Sequence, residues 1–313
     1  EMTVCVLGGY VGTGYSLESQ VSGGLAEALR ALPGWDGKTI RVLDFAQPGF
    51  RQPQQLTTLA YFLSIGQEFD LVINIDGFNE VVTTARNWEA DVEPSYPADT
   101  LWGAWGRSLE QYNVPFNERG YLLASYHQAV ANELRSEISD CTLAACRYGK
   151  LALAVYHQWR TKANRGNALD NLTKRSYFPT KTFSRLPKDF DIYGYTAEFW
   201  RRSSEMMAEI ARAHGALYIH LLQPNQWFEP AGAYEPIDPQ HIYGWVIEPV
   251  NRGYTALLAE APKLRKAGVA FIDMTRLFSD KPARQMYLDD CSHYTEAGYG
   301  IIFDATAAAV ADL

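Results

Sequence analysis

A strand with one wetted face alternates apolar and polar residues, whereas a run that stays apolar throughout is buried on both faces. Three such runs open this chain. Thr3 to Leu7 leads through Gly8-Gly9-Tyr10-Val11-Gly12-Thr13-Gly14 into helical spacing from about Ser19 to Leu32. Ile40 to Phe45 is broken by Pro48-Gly49 and followed by a helical pattern from Gln54 to Ile65, and Leu71 to Ile75 ends at the turn cluster Asp76-Gly77-Phe78-Asn79-Glu80. Strand followed by helix, repeated in this way, implies a parallel sheet covered by helices on both faces. Sheets of that kind take ligands at the carboxyl ends of their strands.

The alternation resumes late in the chain. A long amphipathic helix is expected from Thr196 to His214, a strand from Ala216 to Leu222 and the breaker Gln223-Pro224-Asn225. After these come an aromatic loop with Trp227, Phe228, Tyr234 and Trp245, a helix from about Pro249 to Ala267, and a fifth strand from Val269 to Ile272. A closing helix from Thr295 to Val310 is capped by Thr295, with Glu296 in its first turn. Between the two halves, residues 83–191 lose the pattern. They hold a Pro- and Trp-bearing loop that includes Leu101 to Trp105, expected helices at Tyr121 to Ile138 and around Leu151 to Trp159, and a basic stretch from Arg160 to Lys188. The expected organisation is one domain over residues 1–313 carrying a helical insertion, a lid or partner surface, at 83–191.

Composition bounds the partners. A net charge of −8 leaves no electrostatic footprint for nucleic acid, and the Arg160 to Lys188 stretch reads as a solvated face. No apolar run reaches the roughly 18 residues of a membrane span. His127, His157, His214, His220 and His241 have no metal-ligand spacing, and Gly8-Gly9-x-x-Gly12-x-Gly14 is not a dinucleotide fingerprint, so neither metal nor cofactor is expected. Cys141 and Cys146 are spaced to pair in an oxidising compartment or to remain two half-buried thiols. Asn171-Leu172-Thr173 is a glycosylation sequon, with meaning only in a eukaryotic secretory setting.

The chemistry-bearing residues cluster at strand ends. In Asp290-Cys291-Ser292-His293, just before the last helix, Asp290 is placed to hold His293 Nδ1–H and leave Nε2 as a base. Gly49, past the second strand, and Asn79, past the third, are placed to donate hydrogen bonds to an oxyanion over the sheet's carboxyl edge. Each is individually an ordinary turn residue; their order along the chain is what makes a pattern.

That pattern resembles the SGNH hydrolase superfamily, the GDSL-like esterases and acylhydrolases of bacterial type. Gly77-Phe78-Asn79-Glu80 looks like the family's Gly-x-Asn block, Pro48-Gly49 like its glycine block, and Asp290-Cys291-Ser292-His293 with Tyr294-Thr295-Glu296-Ala297-Gly298 like its final block. Phe199-Trp200-Arg201 through Gln223-Pro224-Asn225 is similar to bacterial members with a long helix and a strand ending in Gln-Pro-Asn. The resemblance covers most of the chain outside the insertion. It implies a flavodoxin-like three-layer α/β/α sandwich with a five-stranded parallel sheet in the order 2-1-3-4-5. It also implies cofactor-free hydrolysis or transfer of an acyl group, with Gly9, Gly49 and Asn79 at the oxyanion.

The nucleophile departs from the family. Where a serine follows the glycine pair, this chain has Tyr10, and Ser16, Ser19 and Ser22 lie too far along to meet His293. A phenol is a poor acyl-transfer nucleophile at neutral pH. The block also looks short, which fits either a stretch missing between Gly9 and Gly12 or a domain that kept its base and oxyanion donors without a nucleophile. The resemblance therefore implies either of two functions. One is an ester hydrolase or acyl (acetyl) transferase acting on an acylated carbohydrate or small ester, which the aromatic loops would suit. The other is a catalytically inactive structural or interaction subunit that meets a protein partner through the insertion. The expected setting is extracytoplasmic, periplasmic, secreted or anchored through a removed N-terminal segment, with the cytoplasm as the alternative.

Overall fold

The structure, a computed structural model, describes residues 1–89, 93–96, 118–138, 141, 143–175, 187, 189–229 and 244–313. Two compact units divide the chain, one made of Glu1–Leu101 with Arg185–Leu313, the other of Trp102–Ser184.

The first unit is a three-layer α/β/α sandwich. Its strands are β1 (Met2–Gly8), β2 (Ile40–Asp44), β3 (Leu71–Asp76), β4 (Leu217–Leu222) and β5 (Ala270–Asp273), in the order β2-β1-β3-β4-β5. All four pairings are parallel, with Cys5 opposite Leu43 and Val72, Ile73 opposite Ile219, and Leu221 opposite Ile272. Both faces are covered, which is why the strands read as apolar runs. On one face Cys5, Leu7, Val72 and Leu222 pack with Leu59 of α3 (Gln54–Ser64), Trp200 of α7 (Ile192–Ala213) and Leu257 of α8 (Gly244–Lys266). On the other, Val4, Val6, Ile73 and Leu221 meet Tyr15 of α1 (Tyr10–Ser22), Leu25 of α2 (Gly24–Arg30) and Ile302 of α10 (Glu296–Ala311). Each such side chain withdrawn from water contributes about 1.5–3 kcal/mol before entropy is counted. Thr295 caps α10, its Oγ1 accepting from Gly298 N–H at 3.1 Å. The helix α4 (Phe78–Glu89) follows β3 directly and buries Val81, Val82 and Ala85, so the sandwich continues through residues 83–89, where the sequence pattern had placed the start of the insertion.

The glycine-rich stretch after β1 is helix, not loop. α1 begins at Tyr10, and Thr13 N–H donates to Gly9 O at 3.1 Å, closing the first turn. Gly9 to Gly12 thus spans the N-cap and the first turn of this helix. Gly12 serves close packing here, since a Cβ on it would lie 2.8 Å from Ala46 Cβ.

The second unit contains α5 (Glu118–Ser136) and α6 (Ala144–Arg175), and a Cys141–Cys146 disulfide ties the connection between them to the first turn of α6. α6 is far longer than the expected Leu151 to Trp159 and takes in part of the basic stretch. Lys150 pairs with Glu137 at 2.8 Å, and His127 and His157 meet Nδ1 to Nδ1 at 2.9 Å.

Polar groups enter the sandwich interior at the end of β3. Asp76, at the end of β3, accepts from Trp200 Nε1 and His220 Nε2, both at 2.9 Å, and from Asn74 Nδ2 at 2.7 Å. Removing the acceptor leaves three buried donors unpaired. Asp76→Ala is therefore expected to lower the unfolding free energy by about 3 kcal/mol in urea titration. A loss under about 1 kcal/mol would show that Asp76 does not hold these donors.

Candidate active site

Three loops converge at the carboxyl edge of the sheet. β1 ends at Gly8, whose φ of 154° and contact with β3 exclude a side chain: a Cβ would lie 2.3 Å from Ile75 O. At Gly9, which precedes α1, a Cβ would lie 2.0 Å from Asn79 Nδ2 and 2.9 Å from Phe50 O. Asn79 Nδ2 donates to Phe50 O at 3.0 Å. In the loop after β2, Phe50 N–H closes a turn onto Gln47 O at 3.0 Å, with Gly49 at φ 83° after Pro48. Positive φ at the residue after proline is what a type II turn requires, and glycine meets it without strain. Gly9 and Asn79 are thus in contact, and Gly49 lies in the adjoining turn.

Glu80 ties these loops together from beneath. Its carboxylate accepts from Gly77 N–H at 2.8 Å, Gln52 N–H at 3.1 Å and Gln55 Nε2 at 3.4 Å, so one side chain holds the β3–α4 turn against the β2–α3 loop. Arg51, fully buried, donates from Nη2 to Thr84 Oγ1 at 3.1 Å and lies over the Phe199 ring. Burial, then the charge of Asp76, push the Glu80 carboxyl up to about 8, against the pull of Gly77 N–H and Arg51.

His293 comes from the loop between α9 (Ala283–Met286) and α10. Tyr287 and Tyr294 form an antiparallel bridge, and Ser292 turns the chain at φ 63°. This tight turn brings Asp289, four residues ahead, onto the imidazole: Asp289 Oδ2 meets His293 Nδ1 at 2.5 Å. The expected orienter was Asp290. That residue is instead buried, and its backbone carbonyl accepts from Trp227 Nε1 at 2.8 Å, which commits this part of the chain to the interior. Burial raises the Asp289 carboxyl, but the hydrogen bonds from His293 and Cys291 N–H outweigh it and hold it below its ordinary range. The loop is locked by the segment after β4. Gln226 accepts from Ser292 Oγ at 2.8 Å and donates to Asp289 O at 3.0 Å, while Tyr294 OH donates to Pro224 O at 2.6 Å.

Tyr10 completes the cluster. As the first residue of α1 it projects its half-exposed ring against His293, with the two ring centroids 4.2 Å apart and tilted by 42°. Tyr10, Gly9, Asn79 and His293 are therefore linked by direct contact or adjacency. Trp227 and Phe228, expected at a ligand rim, are buried in the core; Tyr234 and Leu101 to Trp105 lie outside the described residues.

A second Ser–His–Asp chain runs through the interior. Ser204 Oγ meets His220 Nδ1 at 2.7 Å, and His220 Nε2 meets Asp76 Oδ1 at 2.9 Å. Hydrogen-bond order alone would suit a hydrolase triad. Ser204 and His220 are completely buried, however, and Ser204 Oγ is shared with Tyr218 OH at 3.0 Å. No substrate carbonyl reaches this hydroxyl, so the chain is a structural network under α7.

No protein-family model matches this chain, and no curated protein matches it.

The position of Glu80 gives a pH signature. A carboxyl raised in the folded state stabilises the fold fully below its ordinary value, 4.5, and loses that contribution as pH rises through about 8. Thermal unfolding midpoints of the wild type are expected to fall over this interval relative to those of Glu80→Gln, whose profile should be flatter. Parallel profiles would contradict the raised Glu80 carboxyl.

Proposed function

We propose that the chain is an SGNH-type domain that binds an acyl ester, a small ester or an acylated carbohydrate, at the carboxyl edge of its sheet without a serine nucleophile. The observation that carries this reading is Tyr10 heading α1 with its ring on His293. A serine at the head of that helix would bring its Oγ towards the imidazole. Tyr10 instead sets a ring and a weakly nucleophilic phenol there. Loss of the nucleophile from such a triad costs on the order of a million-fold in turnover. What remains serves binding: the Asn79 amide and the backbone around Gly9 and Gly49 suit a carbonyl oxygen, and His293 suits the alcohol side of the ester. An extracytoplasmic setting is supported by the Cys141–Cys146 disulfide.

A second reading, ester hydrolysis or acyl transfer, is favoured by the His293–Asp289 contact at 2.5 Å. An oriented imidazole can activate water directly, giving a slow hydrolase with no acyl-enzyme.

Turnover of p-nitrophenyl acetate separates the two. The binding reading expects wild-type rates at background, unchanged in His293→Ala. Tyr10→Ser should raise turnover by about a hundredfold or more, and this gain should vanish on adding His293→Ala. Fast wild-type turnover that depends on His293 would establish the hydrolase reading. No gain in a folded Tyr10→Ser protein would reject the site itself. In the Tyr10→Ser background, Asp289→Asn should remove most of the gain, at least about tenfold. Retention of the full gain would show that Asp289 does not orient His293.

A further inference from the structure

We infer that α6 carries a docking face for an anionic membrane surface. On this helix Tyr148, Leu151, Val155 and Trp159 recur at a spacing of three and four residues and so share one face. All are exposed, Tyr148 by 73% and Trp159 by 62%. The opposite face is the one packed within the unit: Ala154 and Thr161 are buried there, and His157 meets His127 of α5. The stripe from Tyr148 to Trp159 is about 16 Å long. Exposed aromatics and aliphatics over such a length have no function in a helix that is merely solvated.

Charge decides the occupant. α6 contains seven Lys and Arg residues and one acid, Asp170, while the whole chain has a net charge of −8. The helix is thus strongly cationic in an otherwise acidic protein. By helical angle Arg147 flanks the stripe and exposed Lys162 continues it one turn beyond Trp159, and Tyr148, Tyr156 and Trp159 are the side-chain types that sit at the headgroup level. A second copy of the same helix would bring two cationic faces together, which opposes self-association. An anionic lipid surface matches both the apolar stripe and the charge. The helix lies in the interface and does not cross the bilayer: among the described residues no helix is long and apolar enough to span.

The test is co-sedimentation of the full chain with vesicles of phosphatidylcholine alone or mixed with phosphatidylglycerol. Binding is expected on the mixed vesicles, weakened by salt, and reduced about tenfold or more in the double variant Val155→Asp, Trp159→Asp. Both positions are exposed, so circular dichroism should show the variant folded. Failure of the wild type to bind mixed vesicles, or equal binding by the folded variant, would overturn the proposal. So would a concentration-dependent dimer, dissolved by the same variant, in a protein that ignores vesicles.

Discussion

The site depends on how closely β1 and β3 end beside one another. Neither Gly8 nor Gly9 can carry a Cβ: one would meet Ile75 O at 2.3 Å, the other Asn79 Nδ2 at 2.0 Å. At Gly8 the neighbour is the β3 backbone and at Gly9 it is the Asn79 amide, and α1 starts on the next residue, so whatever side chain stands at position 10 is delivered to the carboxyl edge. A larger residue at either glycine would push the β1–α1 junction off β3 and separate Tyr10 from His293. The geometry of the cluster is therefore set by close packing at these two glycines, and its chemistry by one side chain.

Beneath that junction the interior is polar where an ordinary sandwich core would be apolar. Asp76 gathers Trp200, His220 and Asn74, and Glu80 gathers the N–H groups of Gly77 and Gln52. A buried carboxylate that satisfies several donors fixes their relative positions, because moving any one leaves a desolvated polar group. Asp76 fastens α7 and β4 to the end of β3, and Glu80 fastens the loop bearing Gly49 to the turn that opens α4, the helix bearing Asn79. Both interactions act on the site without touching a ligand.

The sheet was legible in the sequence because burial on both faces leaves no polar alternation, as the fully buried Leu71–Asp76 strand illustrates. The Thr295 cap was legible because its interaction is local. What escaped was set by non-local geometry. The glycines after β1 suggested a loop, yet Gly12 is small to admit Ala46 from the β2 loop. Asp290 stands three residues ahead of His293, but the left-handed turn at Ser292 and the Gln226 and Trp227 anchors select Asp289, a choice made by residues some sixty positions away in the chain. The aromatic segment at Trp227 and Phe228 gave no periodicity to separate a rim from a core, and the fold buries both.

The central claim is that position 10 is the nucleophile position facing His293 and that tyrosine leaves it unreactive toward esters. Labelling with a fluorophosphonate, mapped by mass spectrometry, tests it most directly, since that reagent phosphonylates a nucleophile activated by a neighbouring base, with fluoride as the leaving group. The account predicts no adduct on wild-type Tyr10, an adduct at position 10 in Tyr10→Ser, and loss of that adduct when His293→Ala is added. An adduct on wild-type Tyr10, or none at position 10 in a folded Tyr10→Ser protein, would contradict it.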